Sequence, residues 1–150
     1  MAYAVPPALA LIGLDLRHTQ ARLEQVEDWH HMGDAGELGF STGWSNSSGT
    51  VGQPDDAAYL KTNSGLVVVK GRVQKTVSGA QFDLDPIFLL RSGYGTKGNR
   101  RFYVNATTGG SPNGAPRRVQ VSGYTVYYEL GSAIDALVNV DIDISFIAEA

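Results

Sequence analysis

The chain has 150 residues, a net charge of −3, 18 glycines and no cysteine. That length holds one domain with a little chain to spare, and the missing cysteine excludes a disulfide framework, a thiolate metal site and a cysteine nucleophile. The slightly acidic balance carries no bulk signal for nucleic acid, and the frequent aromatic and β-branched residues exclude a disordered chain.

The first stretch, Met1 to Leu14, is apolar but has no basic leader and contains Pro6-Pro7. It is shorter than the ~20 residues that span a bilayer, so neither a signal peptide nor membrane insertion is expected, and synthesis is expected in a cytoplasm. Leu9, Ile12, Leu16, Thr19, Leu23, Val26 and His30 then follow one another at alternating spacings of three and four. That is a heptad seam, with Leu9, Leu16 and Leu23 at a and Ile12, Thr19 and Val26 at d. Leucine at a with Ile or Val at d favours three or four strands over two. The spacing predicts an α-helical, coiled-coil-like stalk over residues 1–33, stopped by Gly33 and Gly36, with Leu9, Ile12, Leu16, Thr19, Leu23 and Val26 at a homotrimer interface.

Residues 34–56 read as a linker with a first strand, and residues 57–150 as the remainder of a β domain. From Phe40 onward the apolar period is two. Val67, Val69, Gly71 and Val73 alternate with Val68, Lys70, Arg72 and Gln74; Phe102, Val104 and Ala106 with Arg101, Tyr103 and Asn105; Val126, Tyr128 and Leu130 with Thr125, Tyr127 and Glu129; Ile142, Ile144 and Phe146 with Asp141, Asp143 and Ser145. Such alternation predicts antiparallel strands with one buried and one wet face. Gly, Pro, Asn and Ser clusters separate the runs. Seven or eight short strands at this spacing predict a mainly β fold, an antiparallel, jelly-roll-like β-sandwich behind the helical stalk.

The search for chemistry returns little. The three histidines are His18, His30 and His31; His30 and His31 are adjacent and would diverge on a helix, so no metal site is expected. No Gly-x-Ser-x-Gly run exists, and Gly93, Gly95 and Gly98 are not followed by the Gly-Lys-Ser/Thr and helix of a phosphate loop. Asp83 with Asp85 and Asp141 with Asp143 have the spacing of paired carboxylates, which could hold calcium or hydrolyse a glycoside, but neither pair lies in a loop rich in further oxygen ligands. No catalytic residue and no cofactor is therefore expected. Tyr94, Tyr103, Tyr124 and Tyr127 form the candidate ligand-binding surface, because an apolar ring with a polar tip can stack on a sugar or anchor an interface. Trp44 is expected at the edge of the core.

Several phrases in order resemble bacteriophage tail, fibre and head-decoration proteins that end in a trimeric jelly roll. They are Trp44, then Ala58-Tyr59-Leu60-Lys61, then the valine-rich Val67 to Val73 with Gly71-Arg72-Val73, then Gly93-Tyr94 after the apolar Ile87 to Leu90, and finally Arg118 to Gly123 and Ile144 to Glu149. The family's two prolines around the Gly-Tyr pair are absent here. The resemblance implies a homotrimeric virion surface protein and brings no catalytic residues with it. The apolar residues 2–11 are then expected to dock into the major capsid protein or another virion structural protein. A tail fibre needs a docking domain and a shaft, for which 150 residues leave no room, so the expectation is capsid decoration or a head spike. The alternative is a tail-tip or tail-fibre receptor-binding protein that recognises host surface glycan through the tyrosines. A third reading is a glycan hydrolase using Asp83 and Asp85.

Overall fold

The structure, a computed structural model, describes residues 27–47, 55–76, 84–108, 115–129 and 138–149. The predicted seam from Leu9 to Val26, the docking segment 2–11 and Asp83 lie outside the described residues. Within them the chain forms nine strands: β1 (His30–His31), β2 (Trp44–Asn46), β3 (Ala58–Lys61), β4 (Leu66–Lys75), β5 (Leu84–Leu89), β6 (Thr96–Thr108), β7 (Ala115–Gly123), β8 (Thr125–Glu129) and β9 (Val138–Ile147). All pairings are antiparallel, and no helix occurs among the described residues.

The strands follow one hydrogen-bonded path, β1-β3-β4-β9-β6-β7-β8-β5, with β2 on β4. It consists of two halves. β4 pairs with β9 along its whole length, from Leu66↔Ile147 to Lys75↔Val138, while β7 is sandwiched between β6 and β8. Among the described residues, strand pairing joins the halves through β6 and β9, from Asn105↔Asp141 to Thr108↔Val138. At the opposite corner Phe40 bridges to Phe88, and Ser41 N–H donates to the Ile87 carbonyl at 2.8 Å. The sheet thus curls into a half-barrel around its own core. Pro86 sits on β5, the edge strand at the end of the path, where a missing N–H costs no central ladder bond.

The predicted alternation holds strand by strand. Val67, Val69 and Val73 on β4 and Val140, Ile142, Ile144 and Phe146 on β9 face Val119, Val121, Val126, Tyr128, Ile87 and Phe88 of the other half. Each fully buried valine contributes roughly 1.5–3 kcal/mol relative to its exposure. Trp44 is buried, as expected, with its ring 5.9 Å from that of Tyr128.

The predicted stalk does not extend to its last seam residue. His30 and His31 form a strand paired with Tyr59 and Ala58. The heptad count marks His30 as the next apolar position, but its ring is claimed by polar and aromatic partners on β3 and beyond, which a strand presents and a helix would not. The adjacent segment Asp55–Ala57 lies directly on β4 at Gly71. There φ is +127°, and a Cβ would lie 2.4 Å from the Ala57 Cα, so only glycine lets the two backbones touch.

Candidate functional site

Two places gather polar chemistry, and strand register explains both. The first is built where β1 meets β3. The His30 ring stacks on Tyr59 at 5.0 Å and 21°, and Tyr94 meets both rings edge-on. Nδ1 of His30 lies 2.8 Å from Glu37 Oε1, and Tyr59 donates its hydroxyl to Glu37 Oε2 at 2.8 Å. Tyr94 donates to Glu27 Oε2 at 2.7 Å, while its oxygen lies 3.1 Å from His30 Nε2. A hydroxyl has one proton; with that proton on Glu27, His30 Nε2 is the donor to Tyr94.

Its outer shell is cationic. Arg91 Nη2 lies 3.1 Å from Glu37 and donates to the Gly36 carbonyl, and Lys61 donates its backbone N–H to Glu27 and its Nζ to the Gly93 carbonyl at 3.0 Å. Burial pushes the Glu37 carboxyl up, but the hydrogen bonds from His30 and Tyr59 and the His30 and Arg91 charges outweigh it and hold it below its ordinary value. Burial, the hydrogen bond to Glu27 and that carboxylate's charge push the Tyr94 hydroxyl up to about 12. Tyr59 is raised in the same sense by burial and Glu37. This arrangement joins residues 27–37 to the sheet and leaves no room for a substrate: Tyr59 is fully buried.

The second place is open. Beyond Asn105↔Asp141 the β6–β9 ladder stops, while β6 stays paired with β7 and β9 with β4. The strands part there and close again through the far end, where Glu149 takes the Arg100 guanidinium at 2.6 Å and the Lys97 N–H at 3.1 Å. Those two hydrogen bonds hold the Glu149 carboxyl below its ordinary value. Inside the fork the rings of Phe102 and Phe146 fill the gap at 6.2 Å. On the outer face it opens into a groove of about 370 Å³ lined by Tyr103, Val104, Asn105, Pro116, Asp141 and Asp143.

The four candidate tyrosines do not form one surface. Tyr94 belongs to the histidine cluster, Tyr124 lies 45% exposed at the turn between β7 and β8, and Tyr127 is half-buried on the outer side of β8. Tyr103 alone lines the groove, 78% exposed. Of the two Asp-x-Asp pairs, Asp141 and Asp143 line it as well. Asp85 is buried on an ion pair with Lys75. Asn105 and Pro116 were not among the sequence candidates, although Asn105 shares the phase of Tyr103 and was legible on that ground. Among the described residues no group of three or more His, Asp or Glu is placed to hold a metal ion.

The architecture is that of a known solved structure. The chain superposes on the crystal structure of the receptor binding protein (gp15) of Listeria phage PSA with a TM-score of 0.59 and 17% sequence identity, over 99% of this chain and 82% of that one. The likeness is one of fold. No protein-family model matches the chain, and no curated protein matches it.

Proposed function

We propose that this chain is a bacteriophage virion surface protein that acts in binding the host cell. The observation that carries the proposal is the shared fold, along 99% of the chain, with a phage receptor binding protein. The ordered phrases from Trp44 to Glu149 support the same class at the level of sequence. Capsid decoration and receptor binding both place the chain on the virion surface. We take receptor binding, the role the PSA protein is named for, as the reading to test, with the decoration role expected from chain length as its alternative.

The remaining parts of the proposal rest on sequence. The chain assembles as a homotrimer through the seam Leu9, Ile12, Leu16, Thr19, Leu23 and Val26, and residues 2–11 dock into another virion protein. It acts without a cofactor and as a binding protein rather than an enzyme.

Purified, fluorescently labelled chain tests the proposal, together with gold-labelled antibody against it on intact particles. The expected result is labelled cells, slower phage adsorption in the presence of free chain, and gold at the tail. Gold on the head with no cell labelling overturns receptor binding in favour of decoration. Sedimentation at micromolar concentration is expected to show a trimer; a monomer removes the trimeric assembly.

A further inference from the structure

We infer that the fork between β6 and β9 is a saccharide-binding site that seats one uncharged pyranose on the ring of Tyr103. The inference deepens the receptor-binding reading and rests on it for its biological setting, but the site is argued from its own geometry.

The platform comes first. Tyr103 is 78% exposed, and no ring or cation among the described residues covers it. Its neighbours in sequence, Phe102 and Val104, face the core, so the backbone that carries the ring is fixed from behind. The C–H face of a pyranose is apolar and flat enough to lie on such a ring, while its hydroxyls project sideways and need partners.

Those partners stand beside the ring and are not consumed by the fold. The register of β4 and β9 places Lys70 opposite Asp143, where an ion pair would form by default. Instead Lys70 holds its Nζ 4.0 Å over the Trp29 ring. Asp143 makes no hydrogen bond or ion pair within the described residues and keeps both oxygens for hydroxyl donors. Asp141 gives one oxygen to Arg72 Nε at 3.2 Å and keeps the other. The Asn105 amide offers a donor and an acceptor together. Hydroxyl donors on carboxylate acceptors make charge-assisted hydrogen bonds, about twice as strong as neutral ones.

Charge then selects among sugars. Two carboxylates line the groove; Arg72 is committed to Asp141, and Arg118, opposite Tyr103 on β7, is committed to Glu129. Uronates, sialates and phosphorylated units meet like charge there, whereas an uncharged hexose or N-acetylhexosamine does not. The groove of about 370 Å³ lies at the small end of ligand sites, roughly 300–1,000 Å³. It suits a single ring at a chain end or branch better than a long stretch of polymer.

The test is saturation-transfer NMR on the full chain with methyl glycosides of glucose, galactose, rhamnose and N-acetylglucosamine, and methyl glucuronide as the anionic comparison. The expected result is transfer to at least one neutral glycoside, unchanged by EDTA, kept in Tyr103→Phe, and weakened about tenfold in Tyr103→Ala and in Asp143→Asn, as for the loss of one stacking partner or one charged acceptor. Equal binding by Tyr103→Ala, preference for the glucuronide, loss on adding EDTA, or no transfer to any glycoside overturns the site. Cell labelling separates this from the wider reading. Wild-type chain that labels cells but fails these tests keeps receptor binding and loses the groove. Chain that binds a glycoside through Tyr103 but no cell keeps the groove and loses receptor binding.

Discussion

Lys75 and Asp85 form an ion pair inside the protein, each only 7% exposed, one at the end of β4 and the other on β5. They join the two halves of the curled sheet at the end where Trp44 and Tyr128 also meet. A buried pair adds little net stability over an apolar pair of equal volume, but losing one partner strands the other's charge. Asp85→Asn and Lys75→Met are each expected to cost about 3–5 kcal/mol, and the double replacement Lys75→Met with Asp85→Leu distinctly less than their sum. Urea denaturation of the three variants checks this.

Gly71→Ala is expected to destabilise far more than Gly65→Ala. Both glycines have positive φ, so both substitutions carry backbone strain of about 1–3 kcal/mol. At Gly65 an added Cβ meets nothing within 4 Å, whereas at Gly71 it would strike the Ala57 backbone at 2.4 Å. The difference between the two melting temperatures reads that backbone contact together with the less favourable φ of +127° at Gly71 against +82° at Gly65.

Acid should loosen the histidine cluster through Glu37. Its folded carboxyl is held below the ordinary 4.5, so the stability it contributes is present above that value and is lost as pH falls through the folded one. Glu37→Gln removes this dependence. The variant is expected to be less stable than wild type at neutral pH, with the gap closing below 4.5; melting curves across that range test it.

Alkali should act on the same cluster through Tyr94. Its hydroxyl is raised from 10.0 to about 12, so its contribution is full below 10.0 and disappears as pH rises through the folded value. Tyr94→Phe cannot ionise and is expected to flatten the loss of stability above 10.0, while losing the hydrogen bond to Glu27 at neutral pH. Tyrosinate absorbance, followed alongside unfolding, separates ionisation from collapse.

The strands of the wet-faced sheet were legible because one buried face leaves a period of two, and the phase of that period is what set Tyr103 outward and Phe102 inward. Tyr94 sits in a turn, where no phase exists, so its burial in a polar cluster had no local signal. The heptad count carried through His30 because it registers spacing and not partners; Glu27, Glu37 and Tyr59 are up to 32 residues apart in sequence (27 to 59) and converge only through β1 and β3 pairing. Asp85 looked like half of a carboxylate pair, and nothing in its own neighbourhood pointed to Lys75, 10 residues earlier. The fork itself is a property of where a long-range ladder stops, which no local pattern encodes.

On β6 and β9 the residues that hold the two halves together and those that line the groove alternate along the same backbone: Val104, Ala106, Val140 and Ile142 inward, Tyr103, Asn105, Asp141 and Asp143 outward. A substitution in the second set leaves the first untouched. Point changes can therefore accumulate on the outward face one at a time without disturbing the packed face that holds the sheet together.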